Sequence, residues 1–297
     1  MNTTEYLSKW AISYKDDIIN NIMPFWMKYG LDREHGGVYT CVNRDGSLMD
    51  TTKSVWFQGR FGFIAAYAYN NIEKNPQWLA ASKSCIDFIE AHCFDTDGHM
   101  FFEVTEDGKP LRKRRYVFSE GFAAIAMAEY ALATGEKEYA KKALDIFKRT
   151  LHFLNAPGFL EPKYLPTLPS RGHSITMILI NTASRIRMVI DDPSLTEQID
   201  TSIAALRKYF IHPEFKALLE MVGPDGEFID TCNGRVINPG HCIETAWFIM
   251  EEAKYRNWDK DLLQLALQIL DWSWEWGWDK EFGGIINFRD CRNLPRS

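Results

Sequence analysis

The sequence predicts an all-α protein in which helical hairpins form a barrel. Four segments are almost wholly apolar, with one or two isolated polar residues each, and their starts are separated by 61, 57 and 65 residues. Amphipathic segments with charged outer faces alternate with them. A helix that is apolar on all sides is buried, whereas a helix with one apolar face lies at the periphery. The alternation therefore indicates an inner and an outer ring of helices, an α/α barrel.

Each predicted helix follows from its pattern of apolar residues. The inner helices are expected over the four apolar segments, 55–69, 116–133, 173–186 and 238–253. The outer helices are expected where apolar residues recur near i, i+3, i+4 and i+7, at 4–26, 76–93, 137–154, 195–210 and 260–276. Thr3 or Thr4 is the expected cap of the first outer helix.

The helix count predicts an incomplete barrel. Five outer helices and four inner helices leave the last outer helix, at 260–276, without the inner helix that should follow it. We therefore expect residues 1–297 to form a single α/α-barrel domain that is truncated, with one or more C-terminal hairpins missing.

A turn that occurs twice supports the hairpin arrangement. The stretches "LDREHGGVYT" (31–40) and "WDKEFGGIIN" (278–287) share the frame Asp-x-Glu-x-Gly-Gly-aliphatic, and "HCFDTDGHMFFEV" (92–104) is a looser copy. Paired glycines permit a positive φ or a close approach of the backbone. We expect these turns to lead from an outer helix through a short β-hairpin into the next inner helix.

Composition excludes several classes of partner. The net charge of −6 argues against nucleic acids and anionic membranes. No apolar stretch approaches the ~20 residues that span a bilayer. The six cysteines form no CxxC pair and no metal-ligand spacing, so we expect free thiols, no metal site and a cytoplasmic location.

Arg60 is the first candidate for a catalytic residue. It lies in the apolar segment 55–69, where Gln58 is the other polar side chain, and Trp56 lies four residues earlier on the same helix face. A buried guanidinium needs an anionic partner. That anion is either a ligand or a core carboxylate such as Glu120, in which case Arg60 is structural.

His241 is the second candidate. In "NPGHCIE", Asn238 suits a helix cap and Pro239 suits the first helical position, so His241 falls in the first turn. The positive end of the helix favours the neutral, basic imidazole. Glu244 shares its face and could fix its tautomer. The alternative is a capped helix whose Glu merely complements the helix dipole.

Glu120 and His173 lie at matching places near the starts of the other two inner helices. Each is either a polar group satisfied within the core or part of a site. Because all four inner helices carry polar groups near their starts, we expect these groups to converge on one mouth of the barrel, where a cleft would be the binding site. The remaining histidines, which lie in loops and outer helices, are assigned no role: His35, His92, His99, His152 and His212.

Four strings resemble the N-acylglucosamine 2-epimerase family, whose mammalian members are also known as renin-binding protein. They are "KSVWFQGRFGF", "RRYVFSEGFAAIAMAEY", "INPGHCIETAWFIMEEA" and "WDKEFGGIINFRDCRNLP". The resemblance extends over essentially all of the chain. It implies an (α/α)6 barrel of twelve helices, of which about nine are present here.

The resemblance also implies a function and a set of site residues. The family interconverts N-acetylglucosamine and N-acetylmannosamine, usually as a homodimer, and several members are activated by ATP without consuming it. The family's catalytic residues fall on Arg60 and His241, with Glu244 beside the latter. The residues expected to contact the sugar are Trp56, Gln58, Tyr116, Glu120 and His173. The basic run at 112–115, otherwise readable as a solvated loop, resembles a proposed nucleotide contact through Lys113, Arg114 and Arg115.

The expected reaction removes and returns the proton at C2 of the ring-opened sugar, with His241 as base and Arg60 beside the enolate oxygen. The family's second catalytic His, in a Trp-Trp-Pro-type segment, and a further Glu have no counterpart here, so we expect weak activity or none from this chain alone. The alternatives are a cellobiose 2-epimerase, a mannose or sulfosugar isomerase, a glycoside hydrolase, or a sugar- or protein-binding relic without catalysis.

Overall fold

The computed structural model describes residues 2–113, 116–156 and 167–294. These residues fall into two compact units: the first comprises the described residues up to 156 together with 188–190, and the second comprises 167–187 and 191–294. The prediction that 1–297 forms one domain stays a prediction. In the described part of the chain, no helix combines the length and apolar character needed to cross a bilayer.

The helices of the first unit match the predicted segments closely. They are α1 (Thr3–Asp17), a π-helical turn (Ile18–Ile22), α2 (Met23–Tyr29), α3 (Val55–Asn71), α4 (Pro76–His92), α5 (Phe118–Thr134) and α6 (Lys137–Asn155). The outer helix expected at 4–26 is thus continued by a π turn. Its cap is Asn2 rather than a threonine, because the Asn2 side chain accepts the Glu5 N–H while the Glu5 carboxylate accepts the Asn2 N–H.

Helix packing in this unit follows the predicted alternation. α3 packs on α4, α5 packs on α6, and α3 and α5 lie side by side. Every residue of α5 from Ser119 to Ala131 is buried, as an inner helix requires. In α6 the buried residues fall on one face, which includes Tyr139, Ala143 and Phe147. The inner and outer roles of this hairpin are therefore confirmed.

Short strands connect these helices, as predicted. β1 (Cys41–Val42) pairs with β2 (Leu48–Asp50), and β3 (Lys53–Ser54), β4 (Phe101–Val104) and β5 (Pro110–Lys113) form a three-stranded antiparallel sheet. In that sheet Lys53 lies opposite Val104, and Phe101 lies opposite Lys113.

The first copy of the repeated turn is closed by the carboxylate of Asp32. Its Oδ1 accepts the N–H groups of Glu34 at 2.9 Å and His35 at 3.0 Å, and the Asp32 N–H donates to Gly37 O at 3.1 Å. Gly36 and Gly37 have φ of +82° and +72°, which L side chains rarely adopt. The glycines are thus required by the backbone, as the sequence indicated.

A buried lysine fixes this turn to the sheet. Lys53 is fully buried, and its ammonium donates to Asp32 Oδ2 at 2.7 Å and to the carbonyls of Gly36 and Glu106, both at 2.8 Å. The three donors of the ammonium are therefore satisfied. Burial opposes ionisation of Asp32, but the hydrogen bonds from Lys53, His35 and Glu34 outweigh it and lower its pKa. Lys53 and Asp32 therefore form a buried ion pair in which each charge balances the other.

The second unit contains two further hairpins. Its elements are β6 (Arg171–Gly172), α7 (His173–Arg187), α8 (Pro193–Ala205), a π-helical turn (Leu206–Phe210), β7 (Ile211–His212), a 3₁₀ turn (Pro213–Phe215), β8 (Ala217–Leu218), β9 (Met221–Val222), β10 (Val236–Ile237), α9 (Pro239–Tyr255), α10 (Lys260–Gly277) and β11 (Arg289–Asp290). α7 packs on α8, α9 packs on α10, and α7 lies beside α9. The strands pair as β6–β9, β7–β8 and β10–β11, all antiparallel.

A buried ion cluster joins three helices of this unit. Glu252 of α9 is fully buried and binds the guanidinium of Arg187 of α7 at 2.6 Å and that of Arg256 at 2.6 Å. Arg256 also reaches Asp200 of α8 at 2.7 Å. Since a buried carboxylate without a partner is strongly unfavourable, the cluster fixes the packing of these helices.

The second copy of the turn repeats the three hydrogen bonds that the aspartate makes in the first copy. Asp279 Oδ1 accepts the N–H groups of Glu281 at 2.9 Å and Phe282 at 3.0 Å, and the Asp279 N–H donates to Gly284 O at 2.9 Å. Gly283 and Gly284 have φ of +73° and +87°. The two sequence copies therefore encode one local structure.

Candidate active site

His241 lies in the first turn of α9, where the sequence predicted it. The Asn238 side chain accepts the His241 N–H at 3.2 Å, and Pro239 occupies the first helical position. The cap fixes the backbone at the helix start, so the imidazole leaves the helix at a defined point. The His241 side chain is 37% exposed, which makes it accessible to a ligand.

Glu220 is the partner of this imidazole. Its Oε1 lies 2.8 Å from His241 Nδ1. Glu220 links β8 to β9, and its own backbone is fixed on both sides: its N–H donates to Val236 O and its carbonyl accepts the His173 N–H, both at 3.0 Å. The segments that contain Val236, His173 and His241 thus meet at Glu220.

His173 joins the same carboxylate from the start of α7. Its Nδ1 lies 3.3 Å from Glu220 Oε1, and its Nε2 lies 2.9 Å from the hydroxyl of Thr245. The ring is fully buried, packs at 5.8 Å from the ring of Phe210, and lies 6.4 Å from the ring of His241. The expected meeting of His173 with His241 is therefore observed within the second unit.

The Glu220 carboxylate is ionised at neutral pH. Burial opposes its ionisation, but the hydrogen bonds and charges of His173 and His241 outweigh burial and lower its pKa to about 2. The cluster therefore contains a fixed negative charge between two imidazoles.

Sequence reasoning assigned the contact with His241 to Glu244, and the structure gives it to Glu220. Among the described residues, Glu244 makes no hydrogen bond to His241, and its predicted role stays a prediction. Glu220 was missed because it lies 21 residues before His241 in a strand link. A signal was present: Glu220 is the one charged residue in the apolar stretch "ALLEMVG" (217–223).

His173, Glu220 and His241 also form a donor set of the kind that metals use, with ligand atoms within 4.8 Å of one another. Two ligands of a tetrahedral zinc ion at its usual bond lengths are about 3.3 Å apart. The Glu220–His241 contact of 2.8 Å is shorter and has the length of a hydrogen bond. We therefore describe the cluster as a hydrogen-bonded network.

Arg60 lies on the first unit and is exposed, so the prediction of a buried guanidinium was wrong. The reason is that α3 is not buried on all sides: Phe57, Arg60 and Ile64 share an exposed face. The guanidinium lies 4.3 Å from the ring centre of Phe122 and borders a largely apolar pocket of 240 Å³. An anion in this pocket can therefore reach it.

Trp56 belongs to an aromatic cluster beside this arginine. Its ring lies 5.2 Å from the rings of Phe102 and Phe118 and 5.9 Å from that of Phe122. Tyr116 extends the cluster at 6.0 Å from Phe118. Trp56 and Tyr116 are half-buried, so each presents part of its ring to solvent, as a contact with a sugar face requires.

Gln58 is fully buried, which corrects its expected contact with the sugar. Its amide is engaged by Val38: Oε1 accepts the Val38 N–H at 2.9 Å and Nε2 donates to the Val38 carbonyl at 2.6 Å. The side chain therefore joins α3 to the end of the first repeated turn.

Glu120 is buried as well, and it pairs with His99 rather than with Arg60. Its Oε1 contacts His99 Nδ1 and accepts the Met100 N–H at 2.8 Å. Its Oε2 has no hydrogen-bond partner within the described ranges. His99, to which we assigned no role, thus forms a buried pair with Glu120. This position favours the core role of Glu120 over contact with a sugar.

The basic run is described only at its start. The Lys113 ammonium lies 2.6 Å from Asp95 and 2.7 Å from Asp97. Arg114 and Arg115 lie outside the described residues. The nucleotide contact stays a prediction, and Lys113 is engaged by two carboxylates.

Comparison with known proteins identifies relatives of this chain. The family model for N-acylglucosamine 2-epimerase (GlcNAc 2-epimerase) matches residues 37–297. The N-acylglucosamine 2-epimerase of Rattus norvegicus is 29% identical over 285 residues, which cover 93% of this chain and 68% of the relative. A cellobiose 2-epimerase of Eubacterium cellulosolvens is 28% identical over 160 residues, 50% of this chain and 37% of the relative.

Solved structures show the fold. A cellobiose 2-epimerase from Bacillus thermoamylovorans superposes with a TM-score of 0.83 at 20% identity, over 95% of this chain and 76% of that chain. A D-mannose isomerase superposes with a TM-score of 0.76 at 18% identity, over 95% of this chain and 75% of that chain. The predicted fold class, an α/α barrel, is thereby confirmed.

Proposed function

Because this chain belongs to the N-acylglucosamine 2-epimerase family, we propose that it interconverts N-acetyl-D-glucosamine and N-acetyl-D-mannosamine by exchanging the proton at C2. The observation that carries this proposal is the family match over 37–297. An accessible histidine held by an ionised carboxylate, as His241 is held by Glu220, supports it because the reaction needs a base.

The chemistry of the reaction assigns a task to each candidate. The C2 proton becomes acidic only beside a carbonyl, so the sugar ring opens to the aldehyde before the proton is removed. In this proposal His241 takes the proton, and the electrons of the C–H bond pass to the carbonyl oxygen as an enolate. Return of a proton to the opposite face of C2, as the C=O bond forms again, gives the epimer. Arg60, whose guanidinium an anion can reach, would stabilise that oxygen, a type of interaction worth several kcal/mol in enzymes.

The proposal includes properties beyond the reaction. We expect a homodimer that works in the cytoplasm, with ATP as an activator that is not consumed. The six cysteines are all free thiols, which supports a reducing compartment. Light scattering after size exclusion, with and without ATP, would test the dimer, and a monomer at every concentration would contradict it.

A related activity on another sugar is the second candidate. The match to a cellobiose 2-epimerase over half of the chain favours it. A glycoside hydrolase is disfavoured, because Glu120, one of its two possible carboxylates, is buried against His99.

Proton NMR in D₂O would decide between these candidates. With N-acetylglucosamine we expect loss of the C2 proton signal and growth of N-acetylmannosamine, both abolished in His241→Ala and retained in the control His35→Ala. Exchange only with cellobiose or mannose would replace the proposed substrate. Exchange is expected to be slow, in line with the weak activity predicted from the sequence, and its complete absence with all of these sugars would refute the proposed function.

A further inference from the structure

The protons of the His173–Glu220–His241 cluster can be assigned from its contacts. An ionised carboxylate accepts hydrogen bonds and donates none. Glu220 Oε1 faces Nδ1 of His241 at 2.8 Å and Nδ1 of His173 at 3.3 Å. Both Nδ1 atoms therefore carry a proton when these contacts are hydrogen bonds.

The hydroxyl of Thr245 shows whether the other nitrogen of His173, Nε2, carries a proton. Its hydroxyl has a single proton, and it donates that proton to the carbonyl of His241 at 2.9 Å, one helical turn earlier. The carbonyl has no proton to offer in return. The hydroxyl oxygen thus accepts from His173 Nε2, which lies 2.9 Å away. By this count both nitrogens of His173 are protonated.

We propose that Glu220 is a positioning residue that holds His173 as a buried imidazolium and His241 as the neutral Nδ1–H tautomer, with the basic lone pair on Nε2. The part concerning the base rests on the proposed function. The part concerning the protons does not, because it follows from the hydrogen bonds of the cluster and from the ionised state of Glu220.

Charge compensation supports this assignment. A fully buried cation is strongly unfavourable unless it is paired, and Glu220 supplies the opposite charge. Among the described residues, the titratable groups in contact with His173 are Glu220 and His241, while Thr245 and Phe210 are uncharged. A positive charge on His173 disfavours a second one on His241, whose ring is 6.4 Å away.

Long-range ¹H–¹⁵N NMR of the imidazoles in the full chain, treated with EDTA and held at neutral pH, tests the proton assignment directly. We expect protons on both ring nitrogens of His173 and on Nδ1 alone in His241. A neutral His173, or a His241 protonated on Nε2, would overturn the proposal. This measurement needs no turnover, so its result tests the proton assignment independently of the epimerase activity.

Substitutions test whether Glu220 determines the protonation of His173 and the tautomer of His241. In Glu220→Gln we expect His173 to lose a proton and His241 to populate both tautomers. The matched control is Glu214→Gln, because Glu214 binds His212 Nδ1 at 2.9 Å in the same unit and should leave both signals unchanged. Thr245→Val should also neutralise His173, whereas Thr245→Ser should not, which keeps the test informative if Glu220→Gln folds poorly. An imidazolium at His173 that survives both Glu220→Gln and Thr245→Val would refute the roles assigned to these residues.

Kinetics test the positioning role. General-base catalysis by a positioned side chain contributes about 10²–10⁴-fold to the rate, so we expect kcat to fall by about 10²-fold in Glu220→Gln with KM nearly unchanged. Glu220→Asp, which retains the charge, should recover part of the loss. An unchanged kcat in Glu220→Gln would refute the positioning role, whereas an inactive wild type with the expected NMR spectrum would refute only the proposed function.

Discussion

Replacing Lys53 by methionine is expected to destabilise the first unit by about 4 kcal/mol. The substitution retains much of the buried volume but removes an ammonium that is fully buried and makes three hydrogen bonds. Asp32 is left as a buried carboxylate without its cation, and removal of one partner from a buried pair costs about 3–5 kcal/mol. Most of the loss is thus the cost of an isolated charge.

Urea denaturation followed by tryptophan fluorescence would measure the loss as a lower midpoint. The matched control is Lys83→Met, because Lys83 forms an exposed i,i+4 pair with Asp87 that is worth about 0.3–0.5 kcal/mol. The double variant Lys53→Met/Asp32→Asn should regain part of the stability, since the isolated charge is gone while an oxygen that can cap the turn remains. A loss from Lys53→Met no larger than that from Lys83→Met would refute the reasoning.

Three further predictions concern the turns, the ion cluster and pH. Gly37→Ala should be more destabilising than Gly284→Ala by about 2 kcal/mol in thermal unfolding, because both have positive φ but only at Gly37 would a Cβ overlap the buried side chain of Gln58. Glu252→Gln should cost about 3–5 kcal/mol in urea, because it leaves two arginines without their shared carboxylate. The stability that ionised Glu220 contributes should be present above pH 4.5 and should be lost as the pH falls towards its folded pKa of about 2, so the wild type and Glu220→Gln should converge in unfolding free energy over that range.

Each of these has a control or a refuting result. Equal losses from the two glycine substitutions would show that the contact at Gly37 does not matter. Glu138→Gln, in an exposed pair with Lys142, should have little effect on stability beside Glu252→Gln. A constant stability difference between pH 5 and pH 2 would contradict the lowered pKa of Glu220.

Helix positions were predictable from the sequence because one-dimensional periodicity encodes them. The inner helix expected at 173–186 is observed at His173–Arg187, and the outer helix expected at 260–276 is observed at Lys260–Gly277. Caps were less predictable: Asn2 and not a threonine begins the first helix, because the capping box with Glu5 depends on a choice between adjacent residues.

The site was predictable only in part, because long-range contacts decide which polar groups meet. His241 could be placed through its helix cap, which is local. Its partner could not, since Glu244 and Glu220 are both carboxylates and only long-range contacts select Glu220: the pairing of β6 with β9 brings it beside His173, and its N–H bond to Val236 O brings it beside the start of α9. Arg60 was predicted on the correct helix, but it was predicted to be buried and is exposed. Helical periodicity does not show which face of a helix a neighbouring element covers.

The two copies of the turn show that their conformation is determined by local sequence and not by the surrounding residues. Val38 in the first copy is 2% exposed and Ile285 in the second is 40% exposed, yet the aspartates of both turns make the same three hydrogen bonds and the paired glycines have the same signs of φ. Their shape therefore does not depend on what covers them. In kinetic terms, a loop closed over six residues forms with little loss of chain entropy, and the tie from Lys53 to Glu106 closes a loop of 53 residues. We expect the turns to be shaped early in folding and to direct the chain before the buried lysine fixes it.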